Sequence, residues 1–189
     1  MGLTQSTPPT TEPVTLAEAK LHLRVDHADE DTLISSLIAA ARAWAETLLA
    51  RQLVTATWQL TLPEFADAIM LPRPPFLAIS SIAYTDTAGS AQSLSLGEYV
   101  TYLADVSTIL VPPYGESWPS TRGFYDDVTI KYTAGYGAAS AVPDWAKSAI
   151  LLTLADLYEN RETGIVGTIR TENPAARRLL YPHRVLGGL

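Results

Sequence analysis

The side chains best suited to metal binding or acid–base chemistry are few in this 189-residue sequence, and they do not group together. Cysteine is absent, which excludes disulfides, thiolate catalysis and cysteine-bound metals. His22 and His27 stand across a predicted helix end at a spacing that does not build the H-E-x-x-H zinc site. His183 lies far from both in the sequence. We therefore expect solvated or locally hydrogen-bonded histidines and no bound metal.

Two further motifs have residue types that hold ligands, but neither completes a known pattern. Residues 26–31 carry four acidic side chains and lack the glycine and distal glutamate of a calcium-binding EF-hand loop. Gly135-Tyr136-Gly137 follows a predicted strand, where a phosphate-binding loop would stand, yet neither G-x-G-x-x-G nor G-x-x-x-x-G-K-[ST] is present. We interpret the acidic run as the capped start of a helix and the glycines as a turn. No cofactor and no catalytic residue is expected.

Helices are predicted on both sides of the middle of the chain. Thr15 and Glu18 form a capping-box pattern that starts a short helix over about 16–24. Apolar residues recur every three or four positions over 30–51, which predicts a long helix. A third, mostly apolar helix begins near Pro143, because proline suits a helix start. We expect the second and third helices to pair and form a core.

Between these helices the hydrophobic period changes from 3.6 residues to 2. Apolar and polar residues alternate strictly over 54–62, which is typical of a half-buried strand. A proline-rich break separates it from a second strand at 76–85, and another strand is predicted over 128–133. Further strands are predicted over 92–96, 99–103 and 107–111.

The predicted fold class is α+β. It is a small helical bundle, made of a short N-terminal helix, a long helix and a C-terminal helix, with an inserted antiparallel β-domain and an extended C-terminal tail. The first residues are rich in Thr and Pro and are expected to form a flexible arm. The predicted units are the arm at 1–14, the helical core at 15–52 and 138–162, the β-domain at 53–137, and a docking tail at 163–189.

Charge is distributed unevenly along the chain. The formal charge is −7, from 13 Lys and Arg against 20 Asp and Glu. After residue 160 the sequence contains five arginines and two glutamates. The local charge is therefore +3, which leaves −10 for the rest of the chain. This acidic body disfavours stable DNA binding, because duplex affinity depends on neutralising phosphates with basic side chains. No apolar run approaches the ~20 residues of a membrane span.

The C-terminal segment has the composition of a docking arm. Leu179, Leu180, Tyr181 and Val185 form an apolar cluster that a free tail has no reason to expose. The 9 Tyr and 4 Trp of the chain are residue types enriched at interfaces. They also leave open a carbohydrate-binding module that stacks sugars on aromatic rings of the β-domain. The rings in question are Trp58, Tyr84, Tyr99, Tyr102, Tyr114, Trp118 and Tyr125.

Four segments, in this order and spacing, carry a resemblance to a known family. They are PVTLAEAKLHLR at 13–24 with the acidic run and long helix behind it, KYTAGYG at 131–137 leading into Val142-Pro143, LYENRE at 157–162 and LLYPHR at 179–184. Together they resemble the head–tail connector (adaptor) proteins of long-tailed bacteriophages and related gene transfer agents. The resemblance runs from about residue 14 to residue 184.

The resemblance implies a structural virion protein without catalysis or cofactors, made in the host cytoplasm and placed at the neck. Such adaptors form a homo-oligomeric ring, dodecameric in the virion, beneath the portal protein. The ring extends the DNA channel toward a stopper (head-completion) or tail protein, and double-stranded DNA passes through it without specific binding. No membrane is involved. The nearest alternative is another neck or tail-completion protein.

In relatives the C-terminal segment grips the portal, and the resemblance assigns the same role to this segment here. The implied portal-binding residues are Arg170, Arg177, Arg178, Leu179, Leu180, Tyr181, Pro182, His183 and Arg184.

Overall fold

A computed structural model describes residues 2–104, 106–160 and 174–185, which form an α+β fold. The helices are α1 (Leu16–Leu23), α2 (Asp31–Leu49), α3 (Asp144–Glu159) and α4 (Ala175–Leu180). The strands are β1 (Gly2–Thr7), β2 (Ala56–Leu62), β3 (Ile69–Leu71), β4 (Phe76–Thr85), β5 (Ala91–Leu94), β6 (Val100–Ala104), β7 (Ser107–Val111) and β8 (Val128–Ala134).

The helices pack around a core of their own, in which α2 lies against α3. Ala41 and Ala45 of α2 and Ala146 and Ala149 of α3 are fully buried, and such small side chains let two helices approach closely. The capping box of α1 is confirmed. The Thr15 hydroxyl accepts from the Glu18 N–H at 3.2 Å, and the Glu18 carboxylate accepts from the Thr15 N–H at 2.7 Å. Across the described ranges no helix is both long and apolar enough to cross a bilayer.

The acidic run before α2 does not cap that helix with a side chain, contrary to our prediction. The N-cap residue, Glu30, makes no side-chain capping bond and instead accepts a hydrogen bond from the Tyr158 hydroxyl. Asp31 in the first turn forms an ion pair with Lys20 at 2.7 Å. Glu30 therefore ties the start of α2 to α3, and Asp31 ties it to α1. Helix periodicity does not reveal these partners, because they lie on other helices.

The strands form two antiparallel sheets. Five strands are ordered β1-β2-β8-β4-β5, and a smaller sheet is ordered β3-β7-β6. Cross-strand neighbours Leu60, Ile130 and Ile82 form one buried row through the larger sheet, and Tyr132 is buried two residues along β8. The alternating burial of β2 and β8 matches the period of two predicted for them.

The prediction of a flexible arm over 1–14 is wrong for Gly2–Thr7. These residues form β1 and pair with β2, with Leu3 opposite Leu60. Val14 is buried in the helical core. The polar sequence of β1 conceals its structure, since an edge strand is held by main-chain hydrogen bonds and needs no apolar alternation.

The prediction of an extended C-terminal tail is wrong for residues 174–185. They form α4 and a 3₁₀ turn, and Leu180 is fully buried in the helical core. The physical reason is that the α2–α3 pair leaves apolar surface that a third helical segment must cover. Residues 161–173 and 186–189 of the predicted tail lie outside the described residues.

The sheet meets the helices at the strand-to-helix connection around Gly135. Its N–H donates to the Pro75 carbonyl at 2.8 Å, and the next N–H, of Tyr136, donates to the Leu53 carbonyl at 3.0 Å. A Cβ on Gly135 would lie 2.7 Å from the carbonyl carbon of Val54, and its φ is +129°. The close contact and the positive φ both require glycine at this position. The Gly135-Tyr136-Gly137 motif therefore lets two backbone segments approach closely.

Candidate interaction surface

The C-terminal segment is fixed to its own subunit at several points. Leu180 and Ala176 are buried against the helical core. Beyond the turn, the Val185 N–H donates to the Leu49 carbonyl at the end of α2, at 2.9 Å. Segment 174–185 is therefore anchored along its length.

His183 is one of these anchors. Its ring stacks on Trp145 of α3 with centroids 3.9 Å apart and planes 9° from parallel. Its carbonyl accepts a hydrogen bond from the buried Arg51 guanidinium at 2.7 Å. The contacts of His183 are thus made within its own chain.

The remaining members of the implied portal-binding set divide by exposure. Leu180 faces the core, and Arg170 lies outside the described residues. Leu179 is 36% exposed and Tyr181 is 58% exposed. The exposed members form what we call the C-terminal docking face: Arg177, Arg178, Leu179, Tyr181, Pro182 and Arg184. This face combines arginines with apolar groups, a combination common in protein interfaces.

A buried polar network joins the N-terminal segment to α2. Arg42 makes an ion pair with Glu12 at 2.6 Å and with Glu46 at 2.8 Å. The Glu46 carboxylate also accepts from the Gln52 side-chain amide at 2.6 Å and from the Leu53 N–H at 3.0 Å. The network therefore links the N-terminal segment to α2 and to the chain that follows α2.

The pKa shifts in this network follow from its burial. Burial raises the pKa of the Glu46 carboxyl, and the Leu53 N–H and the Arg42 charge oppose the rise only in part. Burial also works against the charged guanidinium of Arg42, but the Glu12 hydrogen bond and the Glu46 charge outweigh it and raise the pKa of Arg42. Arg42 therefore stays charged and holds two carboxylates from different parts of the chain.

An exposed aromatic pair is presented by the loop before β8. The buried Asp127 carboxylate accepts from the Phe124 N–H at 2.7 Å and from the Arg122 guanidinium at 2.8 Å. Burial alone would raise the pKa of the Asp127 carboxyl. The two hydrogen bonds outweigh burial and hold that pKa below its usual range. Arg122 also covers the Phe124 ring at 4.7 Å from its centroid, while Tyr125 is 89% exposed. The loop therefore exposes two neighbouring rings, of which Phe124 is held by these contacts.

Further exposed apolar groups lie on the smaller sheet, where the sequence analysis singled out only Tyr102, as a ring for sugar stacking. Tyr102 and Leu103 are adjacent on β6 and both exposed, and Val106 follows in the hairpin. Neighbouring residues of a strand point to opposite faces, so β6 is apolar on both sides. This pattern is visible in the sequence and contradicts a half-buried strand. It could have marked β6 as a surface element that contacts other molecules.

The aromatic rings weighed for sugar binding do not share a platform. Trp58 donates its indole N–H to the Gln52 amide oxygen at 3.1 Å, and the Arg73 guanidinium covers its ring at 5.2 Å. Trp118 stacks on Phe65 at 4.9 Å. Tyr84 and Tyr99 pack against the sheet core. The exposed rings belong to separate elements: Tyr102 to β6, Tyr114 and Tyr125 to different parts of a loop.

The candidate metal and phosphate motifs have protein partners. His27 lies 3.7 Å from Asp29 at the surface, and among the described residues no group of three or more His, Asp or Glu could hold a metal ion. The Gly137 carbonyl accepts a hydrogen bond from the Thr55 N–H at 3.2 Å, which holds the glycine turn against the residue just before β2.

The exposed faces combine arginines with apolar groups, which is typical of a protein that works through interfaces. Residues 13–108 match the family model of the Phage gp6-like head-tail connector protein, and the chain belongs to this family. It is therefore a structural protein of the head–tail junction of a phage-like virion and not an enzyme. No curated protein sequence matches the chain.

Solved structures of gene transfer agent (GTA) particles contain chains of the same fold. A chain from the neck of an empty GTA particle, determined with C6 symmetry, is 24% identical with a TM-score of 0.83. A chain from a native GTA virion is 24% identical with a TM-score of 0.84, and one from a native neck with C12 symmetry is 23% identical with a TM-score of 0.80. Each alignment covers 100% of this chain and 98% of the other.

Proposed function

We propose that this protein assembles with copies of itself into a ring, dodecameric in the virion, beneath the portal. The ring extends the DNA channel and joins the head to a stopper or tail protein. The observation that carries the proposal is the end-to-end likeness to chains of GTA necks with sixfold and twelvefold symmetry, together with membership of the connector family. A ring requires head-to-tail contacts that close on themselves.

The portal contact is assigned to the C-terminal docking face. Arginines with apolar neighbours stand on a body whose charge is otherwise strongly negative, so this face differs from its surroundings. Because α4 is anchored by Leu180 and by the Val185–Leu49 hydrogen bond, the face is held before contact. A surface ordered in advance loses less entropy on binding than a free arm. In this proposal the segment binds as a docked helix.

The division of the buried residues into two clusters supports an insertion of the sheet region between the helices. One hydrophobic cluster contains the buried residues of the helices and the segments flanking them, and a second contains those of the strands. The two clusters meet at residues 52–55 and 135–137. We take 53–137 as the inserted unit, with β1 added to its edge from the N-terminal side.

Charge reversal on the docking face tests the portal contact. Arg178→Glu is expected to abolish co-sedimentation with the portal protein while the melting temperature stays unchanged. Lys131→Glu, on the exposed face of β8, is the control, because it changes the charge equally at a distant place. Undiminished portal binding by Arg178→Glu would remove the docking face from the proposal. Absence of any ring with the wild-type chain and portal would remove the assembly itself.

A further inference from the structure

Both edges of the five-stranded sheet are open. β1 and β5 are the outermost strands, and among the described residues no strand pairs with the outer side of either. Thr4–Thr7 of β1 and Ala91–Ser93 of β5 are exposed. Each edge therefore offers unpaired main-chain N–H and C=O groups, which form a template for another strand.

Neither edge strand contains within its span the charged residues or prolines that discourage pairing with another chain. The strand sequences GLTQST and AQSL contain no charged residue and no proline. Proteins that must avoid edge contacts place lysine, proline or very short strands there. The register of β1 is regular over Gly2–Gln5 and shifts between Gln5 and Thr7, just before Pro8, so the pairing template on this edge is the four residues Gly2–Gln5.

The two open edges also have matching direction. Each neighbouring pair in the sheet is antiparallel, and the sheet has five strands, so β1 and β5 run the same way. Rotation about a ring axis that lies along the strands preserves that direction from one copy to the next. The β5 edge of one copy and the β1 edge of the next would then meet as parallel strands.

We propose that β1 of one subunit pairs in parallel with β5 of its neighbour, so that the sheets of adjacent copies join edge to edge around the ring. The inference rests on the proposed ring, because only a second copy supplies the complementary edge. The contact uses different surfaces on its two sides, which is the heterologous type that a ring requires. Main-chain hydrogen bonds provide the contact, which explains why both edges are polar and uncharged.

Thiol cross-linking tests this pairing cleanly, because the chain has no cysteine. Thr4→Cys and Ser93→Cys place one exposed thiol on each edge. Rings assembled with the portal from a mixture of the two variants, then treated with a short thiol–thiol cross-linker, are expected to give covalent dimers. The double variant is expected to give a ladder of products up to the full ring. The matched control combines Thr4→Cys with Thr101→Cys on β6, the open edge of the other sheet, and is expected to stay monomeric under denaturing electrophoresis.

Electron microscopy of the same samples separates the possible failures. A ring without Thr4–Ser93 cross-links overturns the edge pairing and leaves the proposed function standing. A ladder from the Thr4–Thr101 control would assign the contact to β6 and also overturn it. Cross-linking of Ser93→Cys to the portal in place of a second copy would do the same. Absence of a ring overturns the proposed function and the pairing with it.

Discussion

Asp127 is the residue whose chemistry gives the clearest dependence on pH. Its pKa is held below the ordinary value because Phe124 and Arg122 donate to the carboxylate, against the effect of burial. A carboxyl whose folded pKa is depressed contributes stability above its unfolded pKa of about 3.9 and loses it as pH falls through the folded value. We expect the melting temperature of the wild type to fall from about pH 4 downward, and part of that fall to be absent in Asp127→Asn.

The measurement is thermal unfolding of both proteins between neutral and strongly acidic pH. Asp86→Asn is a useful comparison, because the pKa of that carboxyl is also lowered, in an exposed turn where it accepts from the Gln92 side-chain amide and from the Ser90 and Ala88 N–H groups. Parallel curves for wild type and Asp127→Asn would show that the Asp127 hydrogen bonds add nothing to acid sensitivity.

Single residues were predictable where their partners are close in sequence. Thr15 and Glu18 are three apart, and their capping bonds follow from that spacing. Arg42 and Glu46 are four apart on a helix, which indicates an ordinary surface pair. The structure buries them, because Glu12 arrives from the N-terminal segment and completes the network. No local pattern contains that third partner.

At the scale of elements, α4 allows a direct test with two adjacent leucines. Leu180 is fully buried, whereas its neighbour Leu179 is 36% exposed. Leu180→Ala is expected to lower the free energy of unfolding by about 2–5 kcal/mol, and Leu179→Ala by less than about 1 kcal/mol. Urea denaturation of the two variants measures the difference. Equal, small effects would mean that α4 does not belong to the core.

A second element-scale prediction concerns the α2–α3 pair. Leu154 of α3 is fully buried in the helical cluster, and an aspartate there would be an unpaired carboxylate in apolar surroundings. Leu154→Asp is expected to cost more than about 4 kcal/mol and to leave little folded protein. Leu154→Met, a swap of similar volume, should cost less than about 1.5 kcal/mol. Circular dichroism and solubility report both, and a soluble Leu154→Asp with wild-type melting would disprove the helix-pair core.

Elements with strong local periodicity were predictable, and those made by long-range contacts were not. The strand predicted over 76–85 is β4, and the one predicted over 107–111 is β7. β1 was missed because only its pairing with β2 makes it a strand. α4 was missed because a six-residue helix is stable only against the surface that it covers. The placement of the docking residues depended on α4 and was missed with it.

At the scale of the whole molecule, the charge predicts how the protein treats DNA. A chain with a formal charge of −7 has few groups to neutralise phosphates. Its dissociation constant for duplex DNA at physiological salt should therefore exceed ~10⁻⁴ M, the weak limit of ordinary non-specific binders. Fluorescence anisotropy of a labelled duplex, titrated with assembled rings, measures this. A basic DNA-binding protein serves as the positive control. Micromolar binding that weakens steeply with salt would show that basic side chains line the channel.

The burial of Leu180 has a consequence for how a newly made chain matures. The helical core contains residues from both ends of the sequence, since Val14 and Leu180 belong to the same cluster. During translation, α2 and α3 emerge before the residue that seals them. A chain that is released before α4 has been made leaves the apolar surface that Leu180 covers exposed in the helical core. Synthesis must therefore pass Leu180 before the subunit closes, so the helical core is completed only after α4 has been made.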